Sequence, residues 1–303
     1  MTIIYQGRSY LGFQEYIDDQ LRRRPHGPDA TPAYAHPIDR WILRTLNAAP
    51  VRAGLSQAID ALVSFEFSTR ITESVTVDQR SFPDLFDALS HCARTLGIPL
   101  PHAVARHDQD LFNAFTVGTD EYAFISLSST LCQVYSREEA GFVIGHECGH
   151  IAAGHMLYHN LAQKLADATT QFLLPLRLVV GPALFAWSRR SEITADRAGL
   201  LCCGSLAVAE RALLRTVTGF VDIERVDIDD YLRHSHTLQK EHPSYRLFQL
   251  FQQHPILPKR IEALRLFARS ELYYDLAGLP PPASTELLSL DTLNRLVDRM
   301  VEP

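Results

Sequence analysis

The sequence predicts an α+β fold, mostly helical, with a small mixed sheet. Three observations predict it. Long segments place apolar residues at helical spacing behind recognisable start signals. One stretch, Ala103 to Leu127, abandons that period for short runs of β-favouring residues. Across 303 residues, 46% hydrophobic and 21% charged content is enough for one large core or two modest ones.

The first 50 residues mix short apolar runs with Pro25, Pro28, Pro32 and Pro37, and read as an irregular extension with one or two helices. Trp41 to Leu62 reads as two helical pieces broken near Pro50, and Phe65 to Val77 as a stretch holding a strand. A clear helix follows, with Ser81 as cap, Leu85, Phe86, Leu89, Cys92, Ala93 and Leu96 on its apolar face, and Gly97 as its stop. Val104, Ala114 to Val117 and Tyr122 to Leu127 mark strands, the last two joined by a turn at Gly118-Thr119-Asp120. Ser136-Arg137-Glu138-Glu139 is a capping box that opens a long helix. A second helix runs from about Ser191 to Cys203. The C-terminal third is helical, with breaks at Gly219, Pro243, Pro255 and Pro258. After Leu279-Pro280-Pro281-Pro282, a last amphipathic helix is expected to pack on the protein's own core.

A net charge of −6 argues against a nucleic-acid partner, which usually demands a basic surface. Five cysteines without a CxxC pair argue against a disulfide framework, and suit reduced thiols in a cytoplasmic setting. The N-terminus lacks a basic region followed by an apolar one, so no secretory signal is expected. Phe172 to Trp187 is the one membrane candidate, but it is short and carries Pro175, Arg177, Gly181 and Pro182. A spanning helix wants about 20 apolar residues. The segment is therefore read as a buried or hairpin piece of a soluble fold, with peripheral membrane contact as the alternative.

The chemistry concentrates at His146-Glu147-Cys148-Gly149-His150. On a helix, positions i and i+4 share a face, so both imidazoles can reach one metal ion. Glu147 lies about 100° around the helix, beside the metal, where a general base for a metal-activated water belongs. A third ligand is needed for a zinc site. The pattern HExxHxxGxxH fails, because Ala153 and Met156 occupy the required glycine and histidine positions. Glu192, in Glu192-Ile193-Thr194-Ala195-Asp196, is the better candidate. Asp196, one turn on, can accept a proton from the far nitrogen of a ligand histidine. Gly145 and Gly149 inside a helix cost about 1 kcal/mol each, which predicts a close approach by another element. His155 and His159 are expected to continue the same helix but rotate away from the metal face, either to the surface or to a place behind the ligands. The cluster His234, Ser235, His236 and His242 reads as a solvated loop.

These residues resemble the HtpX-type zinc metallopeptidases, gluzincins related to the CAAX prenyl proteases and the mitochondrial OMA-type protease. The resemblance spans about Phe82 to Phe267 and is most specific in Glu138 to His150 and Arg190 to Gly199. It implies a zincin-like (gluzincin) fold whose sheet edge borders the active site. It also implies a zinc metallopeptidase domain over 81–270, and the residue patterns on either side give a partly helical N-terminal extension over 1–80 and a proline hinge with an amphipathic helix over 271–303. Asn113-Ala114-Phe115 resembles the family's segment before the edge strand, which would make Tyr122 to Leu127 that strand. Asn113, Ala114, Phe115, Tyr122, Ala123 and Phe124 would then border an extended peptide. His254-Pro255 resembles the family's His-Pro motif, with His254 facing the oxyanion and Arg260 bracing the site. Cys148 stands where a small or aliphatic residue is more usual, and is expected in the core.

The expected protein is a zinc metalloendopeptidase with one Zn2+ per chain, held by His146, His150 and Glu192. Glu147 is its base, His254 its second catalytic residue, and peptides or unfolded proteins its substrates. The alternatives are a zinc-bound but latent scaffold protein and a membrane-associated quality-control protease.

Overall fold

The computed structural model describes residues 3–5, 8–10, 31–37, 39, 73–107, 114–118, 123–156, 158–159, 161–162, 174–242, 254–283 and 286–301. The expected helices over Trp41 to Leu62, most of the Phe65 to Val77 segment, the turn residues Thr119 and Asp120, Asn113 and Tyr122 lie outside these residues.

In chain order the strands are β1 (Ile3–Tyr5), β2 (Arg8–Tyr10) and β3 (Val75–Thr76), followed by helix α1 (Pro83–Leu96). Next come β4 (His102–Arg106), β5 (Ala114–Gly118), β6 (Ala123–Ser128), α2 (Ser129–Val134) and α3 (Arg137–Ala153). The remainder is helical: α4 (Leu174–Cys203), α5 (Leu206–Thr218), α6 (Ile228–Glu241), α7 (Leu257–Ala268), α8 (Glu271–Ala277) and α9 (Leu290–Val301). Strands β1 and β2 pair only with each other, as a small antiparallel ribbon. The main sheet has the order β3-β4-β6-β5 and is mixed: β4 runs parallel to β6, and the other pairs are antiparallel.

This order corrects the edge-strand expectation. The segment Tyr122 to Leu127 contributes β6, which is hydrogen-bonded on both sides, and Phe124 on it is fully buried. The sheet's edges are β3 and β5, and β5 begins at Ala114 itself. Both segments alternate apolar and small residues, so nothing local distinguishes an inner strand from an outer one.

Local signals explain where most helices start and stop. The Ser136 hydroxyl accepts from the Glu139 amide and the Glu139 carboxylate accepts from the Ser136 amide, completing the expected capping box of α3. Gly97 and Gly219 end α1 and α5 in the left-handed conformation that glycine adopts without penalty. The expected Ser81 cap is replaced. Asp78 accepts from the amides of Arg80 and Ser81, and α1 begins at Pro83, whose fixed φ and missing N–H suit a first helical turn.

Helix α4 departs most from expectation. From Leu174 onward, the segment read as a buried or hairpin piece and the helix predicted from Ser191 are one continuous helix of 30 residues with Pro182 inside it. A proline costs a hydrogen bond in mid-helix. Here the turns that follow it bury Leu184, Phe185 and Trp187, and that packing outweighs the loss. No described helix is long and apolar enough to cross a membrane. The His234 to His242 region is another correction: it lies in or just after α6, whose Asp227 cap bonds the Asp230 amide, and not in a loop.

Helices α3 and α4 pack against each other at the centre of the fold. A Cβ on Gly145 would stand 2.6 Å from Cys202 Cβ, and one on Gly149 would stand 2.6 Å from Ala198 Cβ. Gly199 returns the contact, since its Cβ would meet the Phe142 carbonyl at 2.8 Å. The two predicted in-helix glycines thus mark where two backbones touch. Around this seam a single core joins α1, the sheet, α5, α7 and α9, with Cys148 fully buried in it, as expected. Leu293, Val297 and Val301 place the last helix on that core, also as expected.

Candidate active site

The glycine seam sets the site. It lays α4 along α3 so that Glu192 and Asp196 face His146 and His150. The donor atoms of His146, His150 and Glu192 lie within 4.8 Å of one another, and no other described His, Cys, Asp or Glu joins them. The two Nε2 atoms are 3.2 Å apart. Glu192 Oε1 is 3.4 Å from His150 Nε2, and Oε2 is 3.6 Å from His146 Nε2. Bonds of about 2.0–2.1 Å to a tetrahedral ion imply donor separations of about 3.3 Å, so these three side chains fit a small divalent metal.

The ring nitrogens that face away from this point are engaged. His146 Nδ1 lies 2.9 Å from Asp196 Oδ1. Arg260 holds the same carboxylate bidentately, Nε to Oδ2 at 2.8 Å and Nη2 to Oδ1 at 2.6 Å. Its Nη1 also lies 3.3 Å from Glu192 Oε2. Burial alone would raise the Asp196 carboxyl, but Arg260 and His146 hold it below the usual carboxylate range. Glu192 behaves likewise: burial opposes ionisation, while His254 and Arg260 hold the carboxyl well below its ordinary value. His254 Nδ1 is 3.1 Å from Glu192 Oε2, and the side chain is more than half exposed at the site's mouth.

Glu147 stands beside the donors, buried, one position from His146. Thr116 Oγ1 on the edge strand donates to Glu147 Oε2 at 2.6 Å. Burial pushes this carboxyl up to about 7, with His146 and the Thr116 hydrogen bond opposing the rise. A carboxyl that takes and releases a proton near neutrality is suited to general acid–base work. Of the other expected peptide-binding residues, Ala114 and Phe115 lie on β5, next to Thr116, whereas Ala123 and Phe124 lie on the interior strand.

Thr116 and Asp39 were not anticipated, and His155 and His159 arrive by a route the sequence did not show. Thr116 is one residue beyond the segment picked out on β5. His155 was expected to rotate away on a continuing helix, but α3 ends at Ala153 in a Schellman turn. Gly154 takes φ 70°. Its N–H bonds the Ile151 carbonyl, and the His155 N–H bonds the His150 carbonyl at 3.1 Å. That turn swings His155 back, and its Nδ1 sits 2.9 Å from His150 Nδ1. His159 follows, with Nε2 3.4 Å from Glu192 Oε1 and 3.0 Å from Ser191 Oγ. Behind them lies Asp39, fully buried, 2.8 Å from His155 Nε2. The Gly154-His155 pair after a helix was a readable signal for the turn; nothing local marks Asp39.

The chain is similar in sequence to known peptidases. The chain is 26% identical over 217 residues to the plastoglobule-localized metallopeptidase 48 of Arabidopsis thaliana chloroplasts, an alignment covering 68% of this chain and 62% of that protein. It is 32% identical over 127 residues to the protease HtpX of Xylella fastidiosa, covering 41% and 43% of the two chains. A protease HtpX homolog of Streptococcus uberis is 39% identical over 97 residues, 32% of each chain. The chain thus spans less than two thirds of each of these relatives. Residues 79–268, more than half of the chain, match the profile of peptidase family M48. That stretch contains the three convergent donors, Glu147, Asp196 and Arg260, and the chain belongs to peptidase family M48.

Proposed function

We propose that this protein is a zinc-dependent metalloendopeptidase acting on peptides or unfolded proteins. The observation that carries the reading is the convergence of His146, His150 and Glu192 next to a buried carboxyl poised near neutrality. When bound by these three side chains, zinc supplies a Lewis acid that polarises the scissile carbonyl and acidifies the attacking water.

The chain's own groups do the rest. Glu147 takes the water's proton and returns it to the leaving amine. Thr116 holds the Glu147 carboxylate in place, and being on β5 it ties the base to the strand an extended peptide would join through main-chain hydrogen bonds. His254, bonded to Glu192 through Nδ1, is the group we assign to the carbonyl oxygen as charge gathers there. Arg260 and Asp196 keep the His146 ring in its ligating orientation. Five free cysteines support a reducing, cytoplasmic-type compartment.

The test pairs metal content with cleavage of an unfolded protein, for wild type and Glu147→Gln. About one zinc is expected in both. Cleavage is expected to fall about 10²–10⁴-fold in the variant. Equal cleavage by both would remove Glu147 from the mechanism, and a wild type without metal would remove zinc.

A further inference from the structure

His150 Nδ1 and His155 Nδ1 face each other at 2.9 Å, so one of these nitrogens donates and the other accepts. The far end of the chain of contacts decides which. Trp187 Nε1, which can only donate, lies 2.7 Å from Asp39 Oδ1. Thr194 Oγ1 accepts from the His36 amide at 3.1 Å, so its own proton goes to Asp39 Oδ2, also at 3.1 Å. Asp39 is therefore an acceptor on both oxygens, as an ionised carboxylate must be. His155 Nε2, 2.8 Å from Oδ2, then carries a proton, and in a neutral imidazole its Nδ1 is bare. That bare nitrogen accepts from His150 Nδ1, which leaves the His150 lone pair on Nε2, the atom that faces Glu192 and His146.

We propose that Asp39 and His155 are positioning residues that fix the tautomer and ring orientation of His150 for metal binding. The inference rests on the metal site proposed above. It gives the two ligand histidines parallel supports: Asp196 acts on His146 directly, and Asp39 acts on His150 through a second imidazole. Asp39 lies outside the stretch that matches the family profile. Its other two partners, Trp187 and Thr194, lie on α4, the helix that also supplies Glu192. In Asp39→Asn an amide N–H faces His155 Nε2 and reverses every bond in the chain. The His150 proton then sits on Nε2, pointing at the metal position.

Two measurements on the full-length protein test this. Long-range proton–nitrogen correlation spectra of the metal-free wild type should show His155 protonated on Nε2 and His150 on Nδ1. Zinc affinity, read by competition with a chromophoric chelator, should fall about 10–100-fold in Asp39→Asn, and the two tautomers should invert. His155 protonated on Nδ1 in the wild type would overturn the relay, and that result needs no variant to fold. Unchanged zinc affinity in a folded Asp39→Asn would also overturn it. A wild type that shows the expected tautomers but binds no zinc would instead sink the metal site on which the inference rests.

Discussion

Thr116 and Glu147 show how much one hydroxyl can matter at this site. Burial raises the Glu147 carboxyl, and the Thr116 hydrogen bond to its ionised form pulls it back down. Thr116→Val removes the opposing contribution. The carboxyl should rise further above its present value of about 7, so less base is available at neutral pH. The acid limb of the kcat/KM–pH profile should therefore move to higher pH, with the metal content unchanged. A profile superimposable on the wild type would show that Thr116 does not tune the base. The residues legible in the sequence were those whose chemistry restricts type and spacing together. Two imidazoles one helical turn apart, and two carboxylates one turn apart on a later helix, announce themselves. Thr116, His155 and Asp39 act through tertiary hydrogen bonds that many residue types could make, so their positions carry no such mark.

Among the elements, the seam between α3 and α4 is the contact on which the donors depend. Gly145→Ala and Gly149→Ala each insert a methyl group 2.6 Å from a side-chain carbon of α4. The helices must part, at a cost of about 1–3 kcal/mol against a propensity gain of about 1 kcal/mol. Glu192 should be drawn off the histidine pair, and both variants should lose metal as well as melting temperature. Gly141, on the same helix, has no atom within 4 Å of where its Cβ would stand. Gly141→Ala should instead stabilise by about 0.5–1 kcal/mol and keep its metal. Equal effects at the three positions, read by thermal unfolding and metal analysis, would refute the seam's role. The glycines predicted this contact from sequence because their cost within a helix demanded a neighbour. The length of α4 was not legible, since Pro182 reads locally as a stop and only the burial of Leu184, Phe185 and Trp187 explains its continuation. Strand order was equally hidden, because β5 and β6 differ in their neighbours and hardly in their own residues.

Over the whole molecule, segments remote in sequence converge on α4. Arg197, almost wholly buried, donates to the Tyr34 carbonyl at 3.0 Å and to Asn294 Oδ1 at 3.3 Å, and its guanidinium lies 5.4 Å from the Phe267 ring centroid. Burial lowers its pKa to about 10, and Asp298 on α9 works against that fall. Arg190 reaches Asp298 as well, at 3.2 Å. Removing 290–303 would expose the surface now covered by Leu293, Val297 and Val301, each worth about 1.5–3 kcal/mol. A loss of roughly 5 kcal/mol is expected from that burial alone, visible as a large drop in the urea midpoint. A shortened chain with the wild-type midpoint would show that α9 is dispensable to the core. The amphipathic pattern made this helix legible, whereas its grip on Arg197 through Asn294 was not.

The seat of Asp39 and Tyr34 bears on any attempt to shrink this protein into a smaller tool. A gene trimmed to residues 79–268, the stretch that matches the family profile, would still encode every ligand and the base. It would also encode a His155 stripped of its acceptor and an Arg197 stripped of its carbonyl at Tyr34. One imidazole of the centre would then be free to flip, and a buried cation would be left half-dressed. A miniaturised catalyst would have to carry a short strap replacing 34–39, or exchange those two side chains for ones that need no such company.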